Sequence, residues 1–241
     1  MQVKAPESEG IGGFRLGVRA VGNVLLGMAL GLLAYYWLTN AVTAIEQQAL
    51  RDDLDGLGSI SAEDPLDFIE EMPSVEETWT VWDTWAGEDL AYWKALENGG
   101  VFGRLIIERM ELDVVIIKGH DPANLKKGPS WIDYTDLPAP TGNVGISGHR
   151  TTYGAPFLRL NELQPGDTID FYSPYRLYEY VVTESFQVTP DRVDVVESTE
   201  EPRLTLTACD PPYSARYRLI VWSDLAEVRQ LEESERPSSS E

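Results

Sequence analysis

One long apolar segment near the N-terminus and a series of short alternating segments after residue 100 divide the chain into two kinds of structure. Residues 20–45 form a run of 26 residues without a single charge. As a helix this run extends about 39 Å, which exceeds the roughly 30 Å thickness of a bilayer's hydrocarbon core. The segment therefore predicts a transmembrane anchor.

The residues on either side of this segment predict its orientation. Residues 1–19 are a short polar N-terminus with Arg15 and Arg19 next to the segment, whereas acidic residues dominate beyond it. Basic flanks stay in the cytoplasm, so we expect a single-pass protein of the cell membrane with a cytoplasmic N-terminus and an extracellular remainder. One alternative is a secretion signal cleaved at Val42-Thr43-Ala44, but the apolar run is longer than the apolar region of a usual signal peptide. The other is a buried helix of a soluble domain, but the run has no polar face.

Residues 46–99 form an acidic extension between the anchor and the rest of the chain. They hold 15 Asp and Glu residues against two basic residues, and residues 46–57 are expected to continue the helix. An aromatic group follows, with three members at a helical spacing: Trp79, Trp82, Trp85, Tyr92 and Trp93. Such a stripe is typical of a helix that docks on a core, and an extension that gates a site is the alternative.

From residue 100 the apolar pattern changes to a period of two, which is typical of half-buried strands. Many short strands separated by Pro, Gly and Asp turns predict an antiparallel barrel or sandwich over residues 100–226. Residues 227–241 are expected to be a flexible tail that begins as a frayed helix. Short helical turns are expected at 121–127 and 155–163, and strands at 104–108, 114–118, 143–147, 168–172, 177–188, 203–207 and 217–222.

The charge balance bears on the partners of the chain. The net charge is −21, which argues against a nucleic-acid partner. Residues 100–224 are only mildly acidic, with 18 acidic against 12 basic residues, so the extension carries most of the excess.

The only cysteine, Cys209, follows the alternating segment 203–207. Asp210-Pro211-Pro212 then ends the predicted strand, and Arg218 lies at the start of the next one. A lone thiol at a strand end beside an arginine fits a nucleophile. It also fits a buried cysteine that packs as a small hydrophobic residue.

A histidine ends another short segment. His149 follows the predicted strand at 143–147 and is one of two histidines, the other being His120, which is expected to lie in a loop. A cysteine nucleophile needs a neighbouring base or cation, and attack on a carbonyl needs donors for the oxyanion. His149, Cys209 and Arg218 can supply the base, the nucleophile and the cationic donor.

These motifs resemble those of the sortases, the membrane-anchored cysteine transpeptidases of bacterial cell surfaces, and class E sortases in particular. The resemblance covers roughly residues 100–224 and is carried by residues 119–129, 147–157, 160–167 and 205–218. It implies a mainly β fold, an eight-stranded sortase-type β-barrel with short helices.

The resemblance also implies a reaction. Cys209 attacks the Thr–Gly carbonyl of a surface protein's sorting signal, of the Leu-Pro-x-Thr-Gly or Leu-Ala-x-Thr-Gly kind, and a thioacyl enzyme forms. An amine nucleophile, from a cell-wall precursor or a pilin lysine, resolves it. His149 transfers the protons and Arg218 holds the oxyanion, with Arg216 as a second candidate because alternation places both arginines on one face. No cofactor is implied, and no acidic run has the spacing of a metal-binding loop.

The chain departs from the family pattern in two places. Ala208 stands before the cysteine where sortases usually have threonine, and residues 130–134 replace a Gly-His-Tyr-Pro-Gly-like run of class E. In this altered loop, Trp131 and Tyr134 either contact the substrate or pack beneath it.

Three alternatives compete with a sortase. NlpC-type peptidases place the cysteine before the histidine, and L,D-transpeptidases carry a Ser-x-Gly-Cys-like site, which disfavours both. The third is a membrane-anchored, sortase-like domain that binds without catalysis, favoured only by Ala208.

Overall fold

The computed structural model describes residues 9–57 and 81–231, with side chains for 18–57 and 87–231. Two helices precede the β-domain, α1 at Glu9–Leu57 and α2 at Val81–Ala95, and a single turn, α3, lies at Pro122–Leu125. Short 3-10 turns lie at Glu108–Met110, Leu160–Glu162 and Asp194–Val196. The strands are β1 Val101–Ile107, β2 Leu112–Lys118, β3 Ser130–Trp131, β4 Asn143–Ser147, β5 Thr168–Tyr172, β6 Arg176–Val188, β7 Arg203–Asp210 and β8 Tyr217–Gln230.

The eight strands close into a barrel, which confirms the predicted fold. Their order around the barrel is β1-β2-β3-β4-β7-β8-β6-β5. Neighbouring strands are antiparallel except for two pairs, β2–β3 and β4–β7, which are parallel. The parallel pair β4–β7 matters for the site because it brings the ends of two strands that are distant in sequence to the same edge.

The strand boundaries agree with the alternating pattern at most ends. Strands β4 and β5 begin and end as predicted, whereas the two-residue strand β3 was not predicted. The prediction for the start of the tail was wrong, because β8 continues through residues 227–230 as a strand instead of a frayed helix. This part of β8 pairs with the first half of β6, where Arg176 lies opposite Gln230. The rest of the tail lies outside the described residues.

The barrel interior is filled by aromatic and branched side chains. Trp93 of α2 is 1% exposed and stacks on Phe102, with ring centroids 5.4 Å apart. Its indole nitrogen donates a hydrogen bond to the Phe102 carbonyl at 2.9 Å. Helix α2 thus docks on the barrel through Trp93, as a packing stripe predicts. Trp79 and the side chains of Trp82 and Trp85 lie outside the described part of the chain.

A buried carboxylate also fastens α2 to the barrel. Asp89 is 1% exposed, accepts a hydrogen bond from the Tyr178 hydroxyl and forms an ion pair with Arg176 at 3.2 Å. Burial raises the pKa of the Asp89 carboxyl, while the Tyr178 hydroxyl and the Arg176 charge oppose that rise.

Helix α1 has two parts with different surroundings. The apolar residues between Val18 and Leu38 are exposed, and α1 is long and apolar enough to cross a membrane. A buried soluble helix is therefore the wrong interpretation of this segment. The helix continues unbroken past 42–44, and Leu50 and Leu54 pack against the barrel residues Val101, Val115 and Ile117.

Candidate active site

Cys209 lies near the end of β7 on the outer face of the barrel. Side chains of β7 alternate, so Leu204, Leu206 and Ala208 enter the core while Cys209 points outward and is half-buried. Ala208 is only 2% exposed. A threonine at this position would place its hydroxyl in the core, on the opposite face of the strand from the thiol.

Arg218 lies directly opposite Cys209. The two residues are a register pair of the antiparallel strands β7 and β8, so their side chains leave the sheet on the same face. The Arg218 guanidinium donates hydrogen bonds to the carbonyls of Ala215 and Tyr217, at 3.3 and 3.2 Å. The guanidinium is thereby bound to the backbone of the loop before β8 and of the first residue of β8.

Arg216 lies in a different environment. It precedes β8, so the alternation of the strand does not fix its direction, and its exposed guanidinium lies over the Tyr217 ring, 5.1 Å from the centroid. The register pairing with Cys209 therefore involves Arg218 alone of the two arginines.

His149 reaches the same edge through the parallel pairing. Ser147 of β4 pairs with Thr207 of β7, and the Gly148 amide donates to the Thr207 carbonyl at 3.0 Å. His149 and Cys209 both lie two residues beyond that pair. His149 is half-buried, and its ring lies 5.0 Å from the Tyr153 ring, measured between centroids.

An ion pair behind the site ties the histidine segment to the cysteine segment. Arg150 and Asp210, the residues that directly follow His149 and Cys209, form a buried ion pair and are 4% and 6% exposed. Arg150 also donates to the Asn161 side chain at 2.6 Å and to the Cys209 carbonyl at 3.5 Å, while Gln187 donates to Asp210. Sequence reasoning missed this network. Its only sign in the sequence is that a basic residue follows His149 and an acidic residue follows Cys209.

The surroundings of His149 lower its basicity. Burial lowers the pKa of the imidazole below its ordinary value, and the Lys126 ammonium adds to this effect by repelling the imidazolium. Lys126 also lies over the Tyr153 ring, 5.8 Å from the centroid.

We expect Lys126→Gln to raise the pKa of His149, because it removes the repelling cation and leaves the burial in place. The imidazolium then persists to higher pH. An NMR titration of the imidazole measures the change, with His120 as an internal reference. Lys127→Gln is the matched control, because Lys127 faces Glu46 at 3.9 Å and does not contribute to the His149 shift. Equal titration curves for Lys126→Gln and the unchanged chain would contradict the prediction.

The two candidate substrate contacts have opposite environments. Trp131 is 5% exposed, stacks on Phe102 with ring centroids 4.8 Å apart, and donates to the Asp136 carbonyl. Trp131 therefore packs beneath the loop, as the second of its two predicted roles requires. Tyr134 is 64% exposed and lies edge-on to His120, which is the exposed loop histidine expected from the sequence and contacts Asp133 at 2.9 Å. Among the residues described, no group of three or more His, Cys, Asp or Glu side chains could hold a metal ion.

Comparison with known proteins identifies the barrel. Residues 105–226 match the family model described as Sortase domain. Sortase SrtE1 of Streptomyces coelicolor is 35% identical over 151 residues, which are 56% of this chain and 43% of that protein. Sortase SrtE2 of the same organism is 27% identical over 248 residues, covering 91% of this chain and 86% of that protein.

Solved structures have the same fold. The crystal structure of Sortase E1 from Streptomyces coelicolor, with a tripeptide in the active site, aligns with a TM-score of 0.52 and 29% identity over 55% of this chain and 91% of that chain. Sortase A of Listeria monocytogenes aligns with a TM-score of 0.52 and 26% identity, over 56% and 92%. The match to SrtE1 spans less than half of that protein's length. From its barrel and from the family match over half of its length, this chain belongs to the sortase family, whose known members are cell-wall transpeptidases.

Proposed function

We propose that this chain is a cysteine transpeptidase whose nucleophile is Cys209. It cleaves a sorting signal of the Leu-Pro-x-Thr-Gly or Leu-Ala-x-Thr-Gly kind between Thr and Gly and transfers the surface protein to an amine of a cell-wall precursor or of another protein. The proposal is supported by one arrangement of residues. Cys209 and Arg218 are register partners on neighbouring strands, and the Arg150–Asp210 ion pair connects the segments that carry His149 and Cys209.

In the first half of the reaction, the Cys209 sulfur attacks the threonine carbonyl carbon, and the thiol proton passes to His149. The negative charge that develops on the carbonyl oxygen is stabilised by Arg218. His149 then gives its proton to the glycine nitrogen, the C–N bond breaks, and the C-terminal part of the signal leaves as a free amine. The threonine remains bound as a thioester.

In the second half, the incoming amine attacks the thioester carbon. His149 accepts a proton from the amine nitrogen and returns it to the departing sulfur, so that a new amide and a free thiol result. His149 must be neutral to accept this proton. The lowered pKa of His149 favours the neutral form of the imidazole.

The charge pattern supports a location for this reaction. We assign residues 1–19 to the cytoplasm, 20–45 to the membrane anchor, 46–99 to an acidic extension, the residues from 100 to the end of β8 to an extracellular catalytic domain, and the residues after β8 to a tail. The support is the apolar helix with basic residues before it and acidic residues beyond it.

The competing proposal is a sortase-like domain that binds without catalysis. Ala208 was the feature in its favour, but Ala208 points into the core and a hydroxyl there would not adjoin the thiol. A thiol-labelling assay separates the two proposals, because an activated thiolate reacts quickly and an inert thiol slowly.

The decisive experiment offers the full chain, in detergent micelles, a panel of quenched sorting-signal peptides and an amine acceptor. Intact mass spectrometry then searches for an acyl adduct on Cys209 and for the new amide. An adduct that the acceptor amine converts to product establishes the transpeptidase and identifies its signal. A folded chain that forms no adduct with any peptide contradicts the proposal for the signals tested.

We expect Arg218→Ala to lower kcat by about 10²-fold, the usual effect of removing one oxyanion donor. Arg216→Ala is the matched control and is expected to stay close to the unchanged chain, because Arg216 is exposed and is not paired with Cys209. Initial rates of amide formation measure both. A larger loss for Arg216→Ala than for Arg218→Ala would assign the cationic role to Arg216.

A further inference from the structure

The membrane-proximal part of α1 forms hydrogen bonds to the loops that surround His149. The Thr43 hydroxyl donates to the Lys126 carbonyl at 3.0 Å, and the Asn40 side-chain oxygen accepts a hydrogen bond from the Gly154 amide, also at 3.0 Å. One turn further along, Gln47 donates to the Lys127 carbonyl at 3.0 Å and accepts from the Val115 amide at 2.8 Å. These bonds fasten α1 to the barrel at several points along its length.

Gly154 is the centre of an unusual backbone segment. Tyr153, Gly154 and Ala155 all have positive φ angles, of 51°, 77° and 47°. Residues with side chains adopt this left-handed region rarely, and they keep it only when their surroundings hold them there. A Cβ on Gly154 would lie 3.2 Å from Thr43, so the glycine also permits the close approach of α1.

This segment carries the side chain that packs on His149. The Tyr153 ring contacts the imidazole at an interplanar angle of 42°, it lies beside Lys126, and it also interacts with the Tyr35 side chain of α1. Helix α1 therefore holds both neighbours of Tyr153, the Lys126 turn through Thr43 and the Gly154 amide through Asn40.

The hydrogen bonds of Asn40 and Thr43 lie where α1 leaves the membrane. About 20 helical residues cross a hydrocarbon core, so a crossing that begins at Ala20 ends near Thr39. Asn40 is the next residue, and its side-chain oxygen accepts the hydrogen bond from the Gly154 amide at this boundary.

We propose that Asn40 is a positioning residue, which holds residues 149–157 through the Gly154 amide and so lets the membrane anchor set the place of the His149 imidazole beside Cys209. The inference rests on the proposed function in one respect, the catalytic role of His149. The contact between Asn40 and the loop does not depend on that role.

The test uses the full chain in lipid nanodiscs, with three variants. Asn40→Leu keeps the size of the side chain and removes the acceptor, Asn40→Asp keeps an acceptor, and Val42→Leu is a control at an exposed position of the same helix. Hydrogen exchange of the Gly154 amide, the NMR signal of His149, and kcat and KM for the sorting-signal peptide are measured for each.

We expect Asn40→Leu to speed exchange at Gly154 about fivefold, as the loss of one net hydrogen bond implies, and to lower kcat by a similar factor. KM is expected to change little, the His149 signal to shift, and Asn40→Asp to restore all three values. Unchanged exchange in Asn40→Leu, or equal impairment of Asn40→Leu and Asn40→Asp, would overturn the proposal. If the unchanged chain forms no thioacyl adduct, the proposed function fails, while the exchange and NMR measurements still decide on Asn40.

Discussion

Replacement of Cys209 by alanine is expected to abolish acyl transfer, with a loss of about 10³-fold or more in kcat. No other residue of the chain carries a thiol, so no second nucleophile of this kind can replace it. The fold should survive, because Cys209 is half-buried on the outer face of β7 and belongs to none of the core clusters. Initial rates of amide formation and the intact mass of the enzyme measure the loss of both product and adduct.

Cys209→Ser is the matched control for this prediction. It preserves the size and the hydrogen-bonding capacity of the side chain, but a hydroxyl is a far weaker nucleophile than a thiolate. We therefore expect both variants to be inactive and to unfold at the same denaturant concentration as the unchanged chain. Transfer by Cys209→Ala above the rate without enzyme would show that the thiol is not the nucleophile.

The strand pattern could be predicted wherever one face of a strand meets the core and the other meets solvent. Strands β4 and β5 satisfy this condition, and their boundaries were predicted correctly. Beyond Trp222 the alternation of β8 is broken by a register shift between residues 225 and 227, although Leu225 and Val228 still pack against the core. The extension of β8 to Gln230 is stabilised by pairing with the long strand β6. Pairing with a strand that is distant in sequence cannot be recognised from the local pattern of residues. The two residues of β3 are too few to show any period.

The candidate site was predicted from motifs, and its geometry came from strand register. The pattern around Cys209 and Arg218 predicts two strands, but it does not predict that these residues are direct partners. The contacts of Asn40 could not be foreseen either, since an uncharged helix indicates lipid and gives no hint of a bond to a barrel loop. The orientation of Ala208, by contrast, can be predicted from the sequence. Simple alternation already places it on the core face, opposite the thiol.

Loss of the buried ion pair behind the site should have the largest effect on stability. We expect Arg150→Leu to lower the free energy of unfolding by about 3–5 kcal/mol, because it leaves the Asp210 carboxylate buried with a single neutral donor from Gln187. The same change frees the segment after His149 from the Cys209 carbonyl, so transfer activity should fall as well. Urea unfolding in micelles, followed by tryptophan fluorescence, measures the change.

Two further variants identify the cause of that instability. Arg192→Leu removes an arginine from an ion pair with Asp194 in which the side chains are 54% and 48% exposed, and it should cost less than about 1 kcal/mol. The double variant Arg150→Leu/Asp210→Leu removes the stranded carboxylate together with its partner, so it should be more stable than Arg150→Leu alone. If the double variant is the less stable of the two, burial of an unpaired charge is not the cause, and the remaining contact between Asp210 and Gln187 stabilises this edge of the barrel. In either case the ion pair joins the segment after β4, which carries His149, to the end of β7, which carries Cys209.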